Sequence, residues 1–229
     1  MLVLAFDTAT PAVTVAVAGA ERVLAQETTV DARRQGELLA VSIEKVLAAA
    51  GVAGTDLDAI VSGAGPGPYT GLRVGLVTAR VLGSALGVSA CGICTLDVIA
   101  ADAVPAAAGR EFLVATDARR REVYWARYSP AGQRLSGPGV AAPATLPGLP
   151  AAGEGAVIYQ GLLGDPIPPR YPSAATAAVL SAKRLARGDS LPPPEPLYLR
   201  RPDARVPGAP KSVLPSLPGS PARTGVVPS

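Results

Sequence analysis

The sequence predicts an α/β fold of two similar lobes, each a mixed sheet flanked by helices. Residues 2–6 form an apolar run that ends at Asp7, and a second apolar run, residues 112–116, ends at Asp117 about half-way along the 229-residue chain. Uninterrupted apolar runs of this length are typical of central strands buried on both faces. Between the two runs, apolar residues recur at the 3.6-residue spacing of amphipathic helices. The repeated order predicts a duplicated architecture.

The first lobe is expected to open with a three-stranded antiparallel meander over residues 2–30. Val13, Val15 and Val17 alternate with smaller residues, and Gly19 and Ala20 follow as a tight turn. The remaining elements expected here are a helix over residues 36–50 capped by Gly51, a strand over 57–62, a helix from an N-cap at Thr70 to about Leu86, a strand over 88–93 and a helix over 95–103.

The second lobe is expected to be a reduced copy of the first. Its predicted elements are strands over residues 112–116, 122–128, 133–140 and 157–160, and an Ala- and Leu-rich helix over 174–186 ended by Gly188. We therefore predict an N-terminal lobe over residues 1–104, a C-terminal lobe over 105–204, and a flexible proline-rich tail over 205–229.

The net charge of +3 is distributed unevenly along the chain. Residues 200–229 hold five basic residues and one aspartate, a local charge of +4, so residues 1–199 sum to −1. Contact of this tail with RNA phosphates and simple solvation of the tail both stay open. The longest apolar segment, residues 72–88, contains Arg73 and Arg80, which argues against a membrane span. With no basic leader before the first strand, we expect a cytoplasmic protein.

The residue types that the chain contains exclude several kinds of catalytic and metal site. The chain contains no histidine, which excludes Ser-His-Asp and Cys-His catalysis and His-based metalloprotease sites. Cys91 and Cys94 form a single C-x-x-C pair with no second pair to complete a four-sulfur zinc site, so we interpret them as structural thiols. No catalytic residue, metal ligand or cofactor is predicted.

Four segments carry a resemblance to a known family. They are LAFDTAT at residues 4–10, GPGPYTGLR at 65–73, DARRREVY at 117–124 and PLYLR at 196–200. Together they resemble the TsaB/YeaZ family over residues 1–204. The glycine- and proline-rich loop that leads into a helix is the most specific of the four.

The resemblance implies both a fold and a role. The fold is that of the actin, hexokinase and Hsp70 superfamily (ASKHA), with two ribonuclease-H-like lobes. The role is that of a non-catalytic subunit that forms a heterodimer with its paralogue TsaD, which carries the metal and the transfer of threonylcarbamoyl to adenosine 37 of tRNA. The ATPase subunit TsaE is a further implied partner, and tRNA an indirect one. Whether the isolated chain forms a homodimer stays open.

The main alternative is an ATP-binding phosphotransferase of the same superfamily. Asp7, Thr8 and Asp117 stand where the first strand of each lobe ends, and such aspartates can hold hydrated Mg²⁺ near ATP phosphates. Against this, the residues that follow are not the glycines that let backbone N–H groups approach a phosphate. The glycine-proline loop over residues 65–71 offers a second anion site at a helix N-terminus, with a purely structural loop as its alternative.

A stripe of small residues marks the second predicted helix. Gly71, Gly75, Ala79 and Gly83 recur every four residues, and each glycine costs roughly 1 kcal/mol in helix propensity. Close packing must offset this cost, either on the chain's own sheet or on a partner. The candidate partner-binding residues on the two helices are Leu39, Ile43, Leu72, Gly75, Leu76, Ala79 and Gly83.

One departure from the family pattern lies at the start of the first predicted helix. Family members commonly place a histidine there, whereas this chain offers Gln35 or Gly36. The contacts made at that position are therefore left open.

Overall fold

The computed structural model describes residues 1–199 of the chain. Within them lie two mixed sheets flanked by helices, as predicted. The tail predicted over residues 205–229 lies outside the described residues, as does Arg200 of the PLYLR segment.

The first sheet has five strands in the order β3-β2-β1-β4-β5. Their bounds are Val3–Asp7 (β1), Ala12–Ala18 (β2), Val23–Val30 (β3), Ala59–Gly63 (β4) and Ser89–Ile93 (β5). Strands β1, β2 and β3 form the predicted antiparallel meander, while β4 pairs parallel to both β1 and β5. All five residues of β1 are buried, which confirms the prediction of a strand covered on both faces.

Helices cover both faces of this sheet. Helices α1 (Gln35–Ala50) and α2 (Tyr69–Leu86) join Leu4 and Phe6 in one apolar cluster. On the opposite face, Val3 and Ala5 pack with α5 (Ala174–Ala186). Alternate residues of β1 thus supply two separate cores, as the two-residue period of a strand requires.

The second sheet has four strands in the order β8-β7-β6-β9. Their bounds are Phe112–Asp117 (β6), Val123–Tyr128 (β7), Arg134–Ala141 (β8) and Ala151–Ala152 (β9). Helix α3 (Thr95–Ala107) packs on one face, and the short helix α4 (Glu154–Ile158) packs on the other. Each sheet is therefore the centre of a three-layer arrangement.

Two helices cross between the halves of the chain. Helix α3 precedes the second sheet, and its apolar residues pack on that sheet around Phe112 and Tyr128. Helix α5 follows the second sheet but covers the first. The predicted boundary between residues 104 and 105 falls inside α3, and residues 174–186, assigned to the C-terminal lobe, pack on the N-terminal sheet. The length and apolar periodicity of the two segments predicted both helices, but they did not indicate which sheet each helix covers.

Two local predictions were wrong. Thr70 is not an N-cap, because α2 begins at Tyr69 after Pro68 and has no side-chain cap. Residues 157–160 do not form a strand: α4 occupies residues up to Ile158, and the strand of this region is β9. A short apolar run fits either a strand or a helix, so periodicity does not decide between them.

Candidate functional site

Asp7 ends β1, yet it does not face an open site. Its side chain is 2% exposed, and its two carboxylate oxygens accept hydrogen bonds from the Thr95 hydroxyl and the Ala9 amide, each at 2.7 Å. Gly63 lies so close that a Cβ there would come 2.0 Å from Oδ2. Burial raises the pKa of Asp7 to about 6, and the two hydrogen bonds offset part of this rise. The carboxylate is enclosed by the protein's own groups. Its hydrogen bonds link the end of β1 to Thr95 at the start of α3 and to Ala9 in the turn after β1.

Thr8 is a docking point for α2. Its hydroxyl donates to the Gly71 carbonyl oxygen at 2.7 Å and accepts from the Gly75 amide at 3.1 Å. Thr8 is 1% exposed, so its oxygen is used within the chain. Of the candidate nucleotide residues, Asp7 and Thr8 therefore hold α2 and α3 in place.

The stripe of small residues on α2 packs on the chain's own sheet. A Cβ on Gly75 would lie 2.8 Å from both Ser62 Oγ and Thr8 Oγ1, and a Cβ on Gly83 would lie 2.9 Å from the Ala90 Cβ. Contacts this short leave no room for a side chain. The sequence left packing on the sheet and packing on a partner open, and the structure decides for the sheet.

The candidate partner-binding residues share this buried face. Those on α1 and α2 are 0–6% exposed or, for the glycines, buried: Leu39, Ile43, Leu72, Gly75, Leu76, Ala79 and Gly83. Each of them packs within the chain in this structure, and their assignment to a partner surface stays a prediction. The exposed valines of these helices are Val41, Val77 and Val81, which are 48%, 56% and 59% exposed. An amphipathic pattern marks a buried face without telling what buries it.

Gln35 occupies the position at which the family pattern is not kept. Its side-chain amide donates to the Thr8 and Thr10 carbonyl oxygens at 3.1 and 2.6 Å. These bonds fasten the first turn of α1 to the turn between β1 and β2. Gln35, rather than Gly36, makes the structural contact at this position.

The loop of residues 65–71 is held by neighbouring segments. The Gly65 amide donates to Thr95 Oγ1 at 3.2 Å, and the Gly65 carbonyl accepts from the Thr95 amide at 2.9 Å. A Cβ on Gly67 would lie 2.2 Å from the Ala9 carbonyl oxygen. The close backbone approach that these glycines allow is thus made to the chain itself, which favours the structural alternative for this loop.

Asp117, a candidate nucleotide residue, borders a cavity. A space of about 70 Å³ lies between the loops of the two sheets and is lined by residues that include Thr10, Pro68, Asp117 and Arg119. The Asp117 carboxylate accepts from the Arg119 amide at 3.0 Å and from the Tyr159 hydroxyl at 3.3 Å. Asp7 does not line this cavity. The two aspartates that the sequence paired therefore do not both line this cavity.

The thiols are in surroundings that favour the protonated form. Cys91 is buried, and Cys94 precedes α3 in a half-buried position. Burial and the nearby Asp97 raise the pKa of Cys94 to about 11, and burial alone raises that of Cys91. Within residues 1–199, no cluster of three potential His, Cys, Asp or Glu ligands can hold a metal ion. Nor does that part of the chain contain a helix of the length and apolarity that a bilayer crossing requires.

A cluster that sequence reasoning missed lies on the outer side of α2. The Tyr69 and Tyr198 rings stack at 5.5 Å between centroids, and the Arg73 guanidinium carbon lies 4.0 Å from the Tyr69 centroid. Arg73 Nε also donates to the Tyr198 hydroxyl at 3.3 Å. Tyr69, Arg73 and Tyr198 belong to the quoted segments GPGPYTGLR and PLYLR, but the separation of 125 residues between Arg73 and Tyr198 hid the contact.

The architecture and these segments can be compared with known proteins. The family model described as TsaD, tRNA N6-adenosine threonylcarbamoyltransferase, matches residues 22–183. An uncharacterized protein of Mycobacterium tuberculosis is 46% identical over 209 residues, covering 89% of this chain and 93% of that protein. The tRNA threonylcarbamoyladenosine biosynthesis protein TsaB of Escherichia coli is 34% identical over 134 residues, covering 56% of this chain and 55% of that protein.

A solved structure supports the same relationship. The structure of YeaZ from Pseudomonas aeruginosa superposes with a TM-score of 0.72 at 27% identity, covering 86% of this chain and 99% of that one. This likeness confirms the fold class predicted from the sequence. The chain therefore belongs to the TsaD family, tRNA N6-adenosine threonylcarbamoyltransferase, and within it to the TsaB/YeaZ group.

Proposed function

We propose that this protein is a non-catalytic subunit in the biosynthesis of threonylcarbamoyladenosine on tRNA, where it pairs with and stabilises a TsaD paralogue. Its relatives named TsaB are named for that pathway. The observation that carries the non-catalytic part is the enclosure of Asp7, whose carboxylate oxygens accept from Thr95 and Ala9 instead of facing the space between the sheets. A carboxylate used in this way is not available to hydrated Mg²⁺.

The surface that we assign to TsaD is the outer face of α1 and α2. Val77 and Val81 are one helical turn apart and more than half exposed, and Val41 projects from α1 with 48% exposure. Exposed apolar side chains on adjacent helices suit a helical protein partner. The buried face of the same two helices packs on the sheet and holds them in a fixed orientation. In the absence of TsaD, the same valines give a surface for a homodimer.

The remaining assignments follow from membership of the pathway. The ATPase subunit TsaE is a proposed partner of the assembled pair, tRNA is reached through TsaD, and the cytoplasm is the proposed location. None of these assignments requires a catalytic group in this chain.

The pairing is tested by measuring affinity for purified TsaD from the same source. Val77→Glu combined with Val81→Glu is expected to weaken pairing by more than about 100-fold, because two carboxylates would lose water without a partner. The matched control is Val157→Glu combined with Leu162→Glu, two positions of similar exposure, 45% and 53%, on the second-sheet side of the chain. Unchanged pairing of the first variant, or equal loss in the control, contradicts the assigned surface.

The non-catalytic assignment is tested on the isolated chain. Calorimetry with Mg²⁺-ATP should give no binding heat, and the chain alone should transfer no threonylcarbamoyl to tRNA. Activity of the isolated chain that Asp7→Ala abolishes would overturn this assignment and favour the phosphotransferase alternative.

A further inference from the structure

The second surface of α2 is a groove beside the last described segment of the chain. The groove has a volume of about 280 Å³ and lies between α2, represented by Arg73 and Arg80, and a segment that contains Pro194, Pro196 and Tyr198. This groove adjoins the outer valine face and shares Val77 with it, but Arg73, Arg80 and Tyr198 are not among the residues that we assign to TsaD. Nothing in the proposed pairing with TsaD accounts for its composition.

The far wall of the groove is fixed firmly to the first sheet. The Gly92 amide donates to the Pro192 carbonyl oxygen at 2.8 Å, and the Leu197 amide donates to the Ala64 carbonyl oxygen at 2.9 Å. Leu197 packs against the apolar cluster that contains Leu72. Tyr198 is therefore held in place at the groove before a ligand binds, so binding does not carry the entropic cost of ordering this segment.

Two aromatic rings stay half exposed in this rigid setting. Tyr69 is 48% exposed and Tyr198 is 45% exposed, although the two rings stack on each other. If the two tyrosines served only to attach the segment that contains Tyr198 to α2, their rings could be buried. Exposed, immobilised rings beside guanidinium groups are the usual platform for stacking nucleic-acid bases.

The charge of the groove selects a polyanion. Arg73 and Arg80 are both exposed, and no carboxylate within residues 1–199 pairs with either guanidinium. In the sequence, Arg200, Arg201 and Arg205 follow directly after the described segment. A second copy of this chain that used the same groove would place its own arginines against Arg73 and Arg80. A phosphate backbone instead satisfies both guanidinium groups.

We propose that this groove binds single-stranded RNA directly, with a base stacked at Tyr198 and phosphates contacted by Arg73 and Arg80. The proposal rests on the proposed function, in which tRNA is the substrate of the assembled complex, and it replaces indirect contact with tRNA by direct contact. An acidic peptide would satisfy the same charges, but it would not use the aromatic rings.

The test is fluorescence anisotropy with the full-length chain and a labelled single-stranded RNA of about 12 nucleotides, at about 50 to 200 mM salt. Tyr198→Ala should weaken binding about 5- to 150-fold, as expected for loss of one stacked base. Tyr198→Phe keeps the ring but loses the hydroxyl that accepts from Arg73 Nε, so it should weaken binding less than Tyr198→Ala does. Arg73→Gln combined with Arg80→Gln should lower the slope of log affinity against log salt by about 1.4, the value for two phosphate contacts on a single strand.

Matched charge controls make the test specific. Arg22→Gln combined with Arg187→Gln removes the same charge from exposed positions outside the groove, and Lys211→Gln combined with Arg223→Gln removes it from the C-terminal tail. Both control variants should bind RNA with less than about two-fold change. Equal losses in groove and control variants would indicate non-specific attraction and overturn the proposal.

Two further outcomes overturn it. One is the absence of RNA binding at about 50 mM salt. The other is binding of a labelled polyglutamate peptide with the same affinity and the same dependence on Tyr198, which would indicate an acidic protein partner. Because the assay contains no TsaD, its failure leaves the pairing experiment with the Val77 and Val81 variants unaffected, and failure of pairing leaves the RNA result unaffected.

Discussion

The Thr95 hydroxyl donates a 2.7 Å hydrogen bond to the Asp7 carboxylate, and this bond joins the first strand of one sheet to the helix that covers the other. Thr95 also contacts the loop before α2 through both its hydroxyl and its amide. An aspartate that a phosphotransferase would need at an open site is here a buried connector between the two layers. The sequence alone showed the aspartate at the end of the strand but not the partner that encloses it.

Asp7 should make the free energy of unfolding depend on pH in an unusual direction. Burial raises the pKa of Asp7 in the folded state to about 6, well above the usual range of an aspartate, so the folded state holds the proton more tightly than the unfolded chain does. The contribution of Asp7 to stability is therefore full below about pH 4, falls as the pH rises from about 4 to about 6, and is constant above that. A shift of this size corresponds to at most about 3 kcal/mol.

The measurement is urea unfolding between about pH 4 and pH 7 for the natural chain and Asp7→Asn. Asn keeps the shape but cannot ionise, so the natural chain should lose stability relative to the variant across this range. Subtracting the two curves cancels the other carboxylates, including Glu27 and Asp31, whose pKa values are lowered. A difference that is flat with pH would contradict the raised pKa.

Gly75→Ala should destabilise the isolated chain by about 1 to 3 kcal/mol. The new Cβ would lie 2.8 Å from Thr8 Oγ1 and Ser62 Oγ, and both atoms belong to buried residues. The matched control is Gly36→Ala in the first turn of α1, where a Cβ meets nothing within 4 Å. That control should be neutral or stabilising by up to about 1 kcal/mol. Thermal unfolding of both variants measures the contrast, and equal effects would contradict the close packing of Gly75.

Gln35→Ala should cost about 1 to 3 kcal/mol of stability, because the Thr8 and Thr10 carbonyl oxygens would lose their shared side-chain donor. Glu44→Ala, at an exposed position of the same helix, is the control and should change stability by less than about 0.5 kcal/mol. Urea unfolding of the two variants measures both changes in the free energy of unfolding. If both variants matched the natural chain, the Gln35 contacts would not contribute to holding α1.

Cys91 and Cys94 should react slowly with iodoacetamide in the folded protein at neutral pH, because burial disfavours the thiolate of both and the pKa of Cys94 is about 11. Mass spectrometry after timed labelling measures this, and both thiols should label readily once urea unfolds the chain. Replacing both cysteines with Ala should leave pairing with TsaD unchanged. Rapid labelling of the folded chain, or a reversible disulfide that controls pairing, would contradict a structural role.

Most strands and helices could be predicted because each buries a face with its own period. The valines of β2 alternate at a period of two, and the apolar residues of α1 and α5 recur at 3.6, so local order followed from the spacing of side chains. The exception at residues 157–160 is a run too short to show either period. Here the glycine before α4, with a φ of 95°, redirects the chain after the two-residue strand β9.

The sequence did not indicate which surface covers each apolar face. Seven apolar and small residues of α1 and α2, from Leu39 to Gly83, were assigned to a partner surface, and all of them pack inside the chain. Hydrophobic burial is non-directional, so the pattern is the same whether the covering surface is the chain's own sheet or another protein. The contact between Tyr69 and Tyr198 was hidden for a related reason, since it depends on how the whole fold brings distant segments together.

The sequence by itself determined the family, the order of the elements and the exclusion of histidine chemistry, because these depend on residue identity and local spacing. Only the tertiary structure decided that Asp7 is enclosed, that α3 and α5 cross between the sheets, and that Arg73 and two tyrosines form one surface. The physical reason is that enclosure and juxtaposition are properties of contacts between residues far apart in the chain, such as the 88 residues that separate Asp7 from Thr95.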